Sequence, residues 1–225
     1  MALWLPFLAA GGPLRFLDTL RSFQDGPYAV VAINAWNFWG LIQGPVAPGG
    51  LAIPDSAALV GPFSARLIGL ALAGGCMLAL VVSTWRHPSR PTLVVAMSSA
   101  ALIAFAFLTT MHERYLFPAA VLPLALVWWQ PARWGVVVIS AVLLAQLVAT
   151  PGAGLVGVEA RSALDLLRVP MSAVIVVAAL GSIGLVASRR LPTDSDWDGA
   201  RAVPAVPPED DEASRRSPNG EDARA

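Results

Sequence analysis

Apolar residues gather into five runs in the second part of the chain, 65–85, 92–110, 115–129, 134–150 and 170–188, with short polar links between them. Crossing about 30 Å of hydrocarbon at about 1.5 Å per helical residue takes about 20 residues. The runs Ala65 to Trp85, Thr92 to Thr110, Trp134 to Thr150 and Pro170 to Ser188 meet or approach that length. Tyr115 to Trp129 is shorter and carries Pro118 and Pro123, so it is expected to kink, or to reach full depth only by continuing back through the residues before it. The pattern predicts an all-α, polytopic membrane bundle of about five transmembrane helices. Trp85, Trp128, Trp129 and Trp134 fall at run ends, where an interfacial aromatic belt belongs.

The segments outside the runs read differently. Residues 1 to 10 are apolar, too short to span, and lack the basic stretch of a signal peptide, so they resemble the end of a longer helix. Leu14, Phe16, Leu17, Leu20 and Phe23 share one helical face opposite Arg15, Asp18, Arg21 and Gln24, which predicts a short interfacial helix. Residues 25 to 64 hold so many Gly and Pro that they are expected to form an extramembrane loop with structure of its own. From Leu191 onward the chain is rich in Pro, Asp, Glu, Ser and Arg, with Trp197 its one large aromatic, and reads as a disordered tail.

Composition agrees with the pattern. The chain is 56% hydrophobic and 13% charged, with a mean hydropathy of +0.64, against roughly 25% charged residues in soluble domains. The net charge of zero conceals nine acids and four Arg in residues 191–225, leaving six acids and eleven Arg in residues 1–190, so the membrane body is basic. All basic side chains are Arg, consistent with a GC-rich bacterial genome. The single Cys76 excludes disulfide frameworks and cysteine-based metal centres. If the runs alternate in direction, the links at 86–91 and 130–133 and the tail share one side, while 11–64, 111–114 and 151–169 share the other. Arg86, Arg90, Arg133, Arg189 and Arg190 tip the positive-inside rule toward a cytoplasmic tail in a bacterial plasma membrane.

Two motifs concentrate the chemistry. Asn34-Ala35-Trp36-Asn37-Phe38-Trp39-Gly40 sets two amides among three large aromatics, a set that binds hydroxyl-rich ligands or builds an interfacial turn. Between the second and third runs lies Met111-His112-Glu113-Arg114-Tyr115, three adjacent ionisable groups at a membrane boundary, where charge is costly and usually has a partner or a cavity. The only other histidine, His87, lies on the opposite predicted side, so a metal site there is not expected. In a hairpin turn Arg114 could hold a phosphate bidentately while Glu113 orients Arg114 or His112; alternatively a Glu-Arg pair simply closes the turn. Arg161 and Arg168 share that predicted side and read either as lipid-phosphate contacts or as a solvated loop.

The segments "NAWNFWG" and "MHERYLFPA" resemble the C-terminal half of GT-C glycosyltransferases, in particular bacterial relatives of the glycosylphosphatidylinositol second-mannose transferase, over roughly residues 1 to 190. The resemblance implies a mannosyltransferase-like membrane enzyme that takes a sugar from a polyprenyl-phosphate donor on the extracytoplasmic face and passes it to a glycan or glycolipid acceptor. It implies that His112, Glu113, Arg114 and Tyr115, with Asn34, Trp36 and Asn37, belong to the substrate-binding site. The acidic catalytic residue of that family is expected in an earlier loop, upstream of Met1, so the chain is expected to be incomplete as an enzyme by itself; Asp18 and Asp25 have no claim to the role. Membrane lipids and the lipid-linked sugar are the implied partners, nucleic acid is not, and a divalent metal requirement stays open. Two other readings remain at this point, a non-catalytic membrane scaffold or subunit and a transporter, the latter without visible internal repeats.

Overall fold

Two serines set where the membrane helices begin. Ser64 accepts a hydrogen bond from Leu67 N and Ser89 one from Thr92 N, with Pro91 in the first turn of the second helix, so each oxygen takes an N–H that has no intrahelical partner. The computed structural model describes residues 29–33, 35–46, 53–149, 166–188 and 190–201, and a few positions between 11 and 22. In order these form β1 (Ala32–Ile33), α1 (Phe38–Val46), β2 (Ala58–Val60), β3 (Phe63–Ser64), α2 (Ala65–Arg86), α3 (Arg90–Phe107), β4 (Met111–His112), a 3-10 turn (Glu113–Leu116), α4 (Phe117–Val121), a second 3-10 turn (Leu122–Leu126), α5 (Gln130–Ala149), α6 (Arg168–Ala187) and α7 (Asp194–Arg201).

The protein is an all-α bundle in which α2, α3, α5 and α6 are long and apolar enough to cross a membrane. The expected fifth helix is not continuous. Pro118 and Pro123 supply no N–H, so each falls in the first turn of a new element, and the pass divides into a 3-10 turn, α4 and another 3-10 turn. Nine 3-10 residues at about 2 Å and five α residues at about 1.5 Å still cover about 25 Å. Helical turns start at Glu113, so the short run gains its depth by running through the motif before it.

Helix α3 is the centre. Over half of its span is buried (56%), against 17–28% for the other three; Ile103, Phe105 and Ala106 are fully enclosed. It packs on α2 and α6 on one side and on the broken pass on the other, and α5 closes over the broken pass. Large apolar side chains such as Leu70, Leu78, Val81, Val177 and Leu180 remain exposed. In water they would be an aggregation liability; on helices of this length they form a lipid-facing surface.

The loop before α2 has structure of its own. Val31 N donates to Ile53 O and Asp55 N to Ala29 O, β1 runs parallel to β4, and β2 and β3 form a hairpin turned at Gly61, whose φ of 56° suits glycine. Asp55, 1% exposed, accepts from Arg66 Nε at 2.8 Å, from Arg66 Nη2 at 2.9 Å and from Thr109 Oγ1 at 3.2 Å, tying the loop to the start of α2 and the end of α3. Of the expected interfacial helix, Leu14, Arg15, Asp18, Thr19 and Ser22 are helical and exposed, and its other residues lie outside the described set, as do residues 1–10 and 151–165.

The tail departs from expectation. Residues 194–201 form α7, because Thr193 and Asp196 cap it reciprocally: Thr193 N donates to Asp196 Oδ2 at 2.8 Å, and Asp196 N donates to Thr193 Oγ1 at 3.4 Å. Trp197, 6% exposed, is buried in the main core, Arg90 N donates to Asp194 Oδ1, and Arg90 pairs with Asp198 at 2.7 Å. A disordered reading missed this because one aromatic and three well-spaced acids suffice to dock two helical turns. Residues 202–225 lie outside the described set.

Replacing Arg66 with Leu leaves the Asp55 carboxylate buried without its cation. The expected cost is about 3 kcal/mol, at the low end for a broken buried pair because Arg66 is 32% exposed. Thermal unfolding of the purified protein in detergent checks it; a midpoint equal to that of the parent protein would contradict the clamp.

Candidate functional site

The site is built where α3 leaves the membrane. The last four carbonyls of a helix have no intrahelical partner, and here the loop supplies side-chain donors. Asn37 Nδ2 donates to Phe105 O at 2.9 Å and Trp39 Nε1 to Phe107 O at 2.7 Å, while Leu108 N returns to Ala104 O. The same Asn37 accepts from Trp39 N and Gly40 N through Oδ1, at 3.1 and 3.2 Å, and so caps α1. Helix α2 comes close at this level because residue 69 is glycine: a Cβ there would lie 2.6 Å from Phe107 O.

Beyond Phe107 the chain turns sharply. Among the described residues Thr110 is the one non-glycine with a left-handed backbone, φ 60°, a conformation that costs about 1–3 kcal/mol for a β-branched residue and that clusters at functional sites. Its N–H donates to Val30 O at 3.1 Å, and the register continues as Ala32 beside Met111 and Ile33 beside His112. The strand pairing thus brings the chain just before the first motif alongside the second. Asn34 lies outside the described residues; its chain neighbour Ile33 stands beside His112.

From His112 the chain enters the 3-10 turn, where successive side chains diverge by about 120°. His112 is half-buried, and its ring meets Tyr115 edge-on with centroids 5.8 Å apart. Arg114 and Tyr115 are exposed, with the guanidinium carbon 5.6 Å from the Tyr115 ring centre. Glu113 points inward: its Oε2 is buried and has no hydrogen-bond partner among the described residues. Among the described residues no ion pair joins Glu113 to Arg114, so the turn is closed by strand pairing and not by the Glu-Arg pair that spacing allowed. Burial first, and the Arg114 charge second, hold the His112 imidazolium below its ordinary range; Glu113 opposes them.

Trp36 and Asn37, expected in the substrate-binding site, lie inside the protein. Trp36 is 2% exposed and Asn37 fully buried, and the amide of Asn37 is engaged at both ends. They are supports beneath the site. Arg161 lies outside the described residues, while Arg168 opens α6, half-buried, beside α1 at Gly40.

Two polar residues of the apolar runs also belong here and were not singled out from sequence. Gln146, 1% exposed, accepts from Trp36 N at 3.0 Å through Oε1. Ser172, fully buried on α6, faces α1, where a Cβ at Gly40 would lie 3.1 Å from its Oγ. The usable signal was the rule that polar groups inside spans are rare and usually functional. Asp55 was likewise overlooked among the acids.

Among the described residues no group of three or more His, Cys, Asp or Glu gathers that could hold a metal. The apolar cavities of about 630 and 250 Å³ have no motif residue in their walls. Fold and site define a multi-pass helical membrane protein with a polar site at the loop end of its bundle. No family model matches the chain, and no curated protein or solved structure matches it either.

Asn37→Ala removes the α1 cap and the donor to Phe105 O together, and an expected loss of about 2 kcal/mol should lower the thermal midpoint without altering the side chains of the 112–115 turn. For the histidine, an NMR titration of ring-labelled protein should give a His112 midpoint below 6.5. Arg114→Gln should move that midpoint up and Glu113→Gln should move it down; the opposite pair of signs would refute the arrangement.

Proposed function

We propose that the loop end of the bundle binds a lipid-linked phosphosugar and that the protein is the membrane portion of a GT-C-type, mannosyltransferase-like glycosyltransferase. The observation that carries the reading is Glu113. A carboxylate oxygen buried without a hydrogen-bond partner is costly, and it is met by a ligand that brings a donor. Sugar hydroxyls are such donors. One residue further, the exposed Arg114 offers the planar fork that suits a phosphate at headgroup level. A ligand with hydroxyls at one end, a phosphate beside them and a hydrocarbon chain behind fits both residues and the lipid-facing helices.

In this reading an acceptor hydroxyl attacks the anomeric carbon, the new C–O bond forms as the bond from that carbon to the phosphate oxygen breaks, and the polyprenyl phosphate leaves. The acceptor proton passes to a base that is not assigned among the described residues. Arg114 stabilises the charge that grows on the departing phosphate. His112, held neutral near pH 7, packs on Tyr115 without adding a second cation. The loop end then faces the extracytoplasmic side of a bacterial plasma membrane, with α7 and the tail cytoplasmic.

A second reading, a non-catalytic membrane scaffold, is favoured by the internal use of Asn37 and Trp36. Sugar transfer from a polyprenyl-phosphate donor in vesicles separates the two. Arg114→Ala should lower kcat/KM about 100-fold, mainly through kcat, as loss of a transition-state charge partner does. Glu113→Gln should raise KM about tenfold with a smaller effect on kcat. Unchanged kinetics in both variants would remove the roles given to Arg114 and Glu113, and no transfer above protein-free vesicles would remove the enzymatic reading and leave the scaffold.

A further inference from the structure

A second site, independent of the proposed glycosyl transfer, lies at the opposite end of the bundle. Between α2 and α3 an open groove of about 630 Å³ is walled by Met77, Leu80, Val81, Leu93, Ala96 and Met97, within the roughly 300–1,000 Å³ of ligand sites. Its walls are apolar except for Thr84, whose hydroxyl already donates to Leu80 O at 2.8 Å. Since both walls belong to helices able to cross a membrane, the open side faces hydrocarbon.

Depth and charge select the occupant. The groove starts at the turn that joins α2 to α3 and extends to Met77 on α2 and Ala100 on α3. That is about 13–15 Å along the helices, close to the roughly 15 Å of one leaflet. A packed partner helix would need a groove running the whole span. At the mouth, Trp85 is 84% exposed, at the level where indoles anchor. Next to it Arg86, the last residue of α2, is exposed and forms no ion pair among the described residues, whereas Arg90 is matched by Asp198. The acidic residues 202–225 suit neither the apolar walls nor a lipid surface.

We propose that this groove seats one acyl chain of an anionic glycerophospholipid, with the lipid phosphate held by Arg86 above it. The walls give the chain a surface that the annular lipids elsewhere on α2 do not have, and Arg86 gives preference for a net negative headgroup.

The test uses the full chain in phosphatidylcholine vesicles doped with a photoreactive phosphatidylglycerol or with the matching photoreactive phosphatidylcholine, followed by peptide mapping. Crosslinks should concentrate on residues 77–100 in both helices, with phosphatidylglycerol favoured about fivefold. Arg86→Gln should abolish that preference while leaving the labelled positions unchanged. Ala96→Phe, which fills the groove, should reduce labelling of residues 77–100 several-fold. Should Ala96→Phe fail to fold, the Arg86→Gln preference decides alone, since that side chain is exposed. Labelling spread evenly over all exposed helix faces, equal labelling by the two lipids, or protein–protein crosslinks across the groove would each overturn the proposal.

Discussion

The constraint on which the structure depends is the end of α3. A helix that stops at a membrane boundary leaves carbonyls where water is scarce, and those carbonyls must be satisfied by protein. Asn37 and Trp39 answer this from a loop some seventy residues earlier in the chain, through Phe105 O and Phe107 O. The same asparagine starts α1, so one side chain both ends a long apolar helix and begins a short one. Glycine at position 69 lets α2 close on that junction. The two polar motifs therefore meet because a backbone requirement is met there, and the active-looking residues follow from it.

What comes after α3 is shaped by the same junction. With Thr109 held to the buried Asp55, and Thr110 N committed to Val30 O, the backbone has to pass through a left-handed residue before it can pair with β1. That pairing fixes the direction in which the 3-10 turn leaves, and the turn separates Glu113, directed inward, from Arg114, directed outward. A regular helix starting at Met111 would spread the same three residues over one exposed cylinder. The strain at Thr110 and the 3-10 geometry are thus two parts of one device that divides the cluster between interior and interface.

Much of the membrane fold was legible because hydrocarbon thickness imposes run length, and four runs became spanning helices with shifted ends. The shifts have local causes. Ser89 and Pro91 begin α3 before its apolar run, and the pull toward β1 ends it at Phe107. The broken fifth segment was readable from Pro118 and Pro123, each of which falls in the first turn of a new piece. Proximity of the two motifs followed from topology alone, whereas the roles of Asn37 and Trp36 did not, since an amide in an aromatic loop looks the same whether it awaits a ligand or a carbonyl. Asp55 and Gln146 escaped because their partners, Arg66 excepted, are distant in sequence, and Ser172 because the helix it faces, at Gly40, is distant too.

The polarity of the bundle is uneven in a way that bears on function. At the loop end Asp55, Asn37 and Gln146 are enclosed in protein and held by partners from other elements, while Ser172 Oγ and Glu113 Oε2 are buried with no hydrogen-bond partner among the described residues. At the hairpin end the groove walls are apolar apart from Thr84, Thr92 is the buried polar residue and is held by Ser89, and Arg90, Asp194 and Asp198 pair on the exterior. Packing alone does not require buried polar groups, and replacing them with apolar side chains of similar shape is often neutral. In the function proposed above, their concentration at one end answers to ligand chemistry, and the Glu113 oxygen, without a partner among the described residues, is where a ligand's donor would enter.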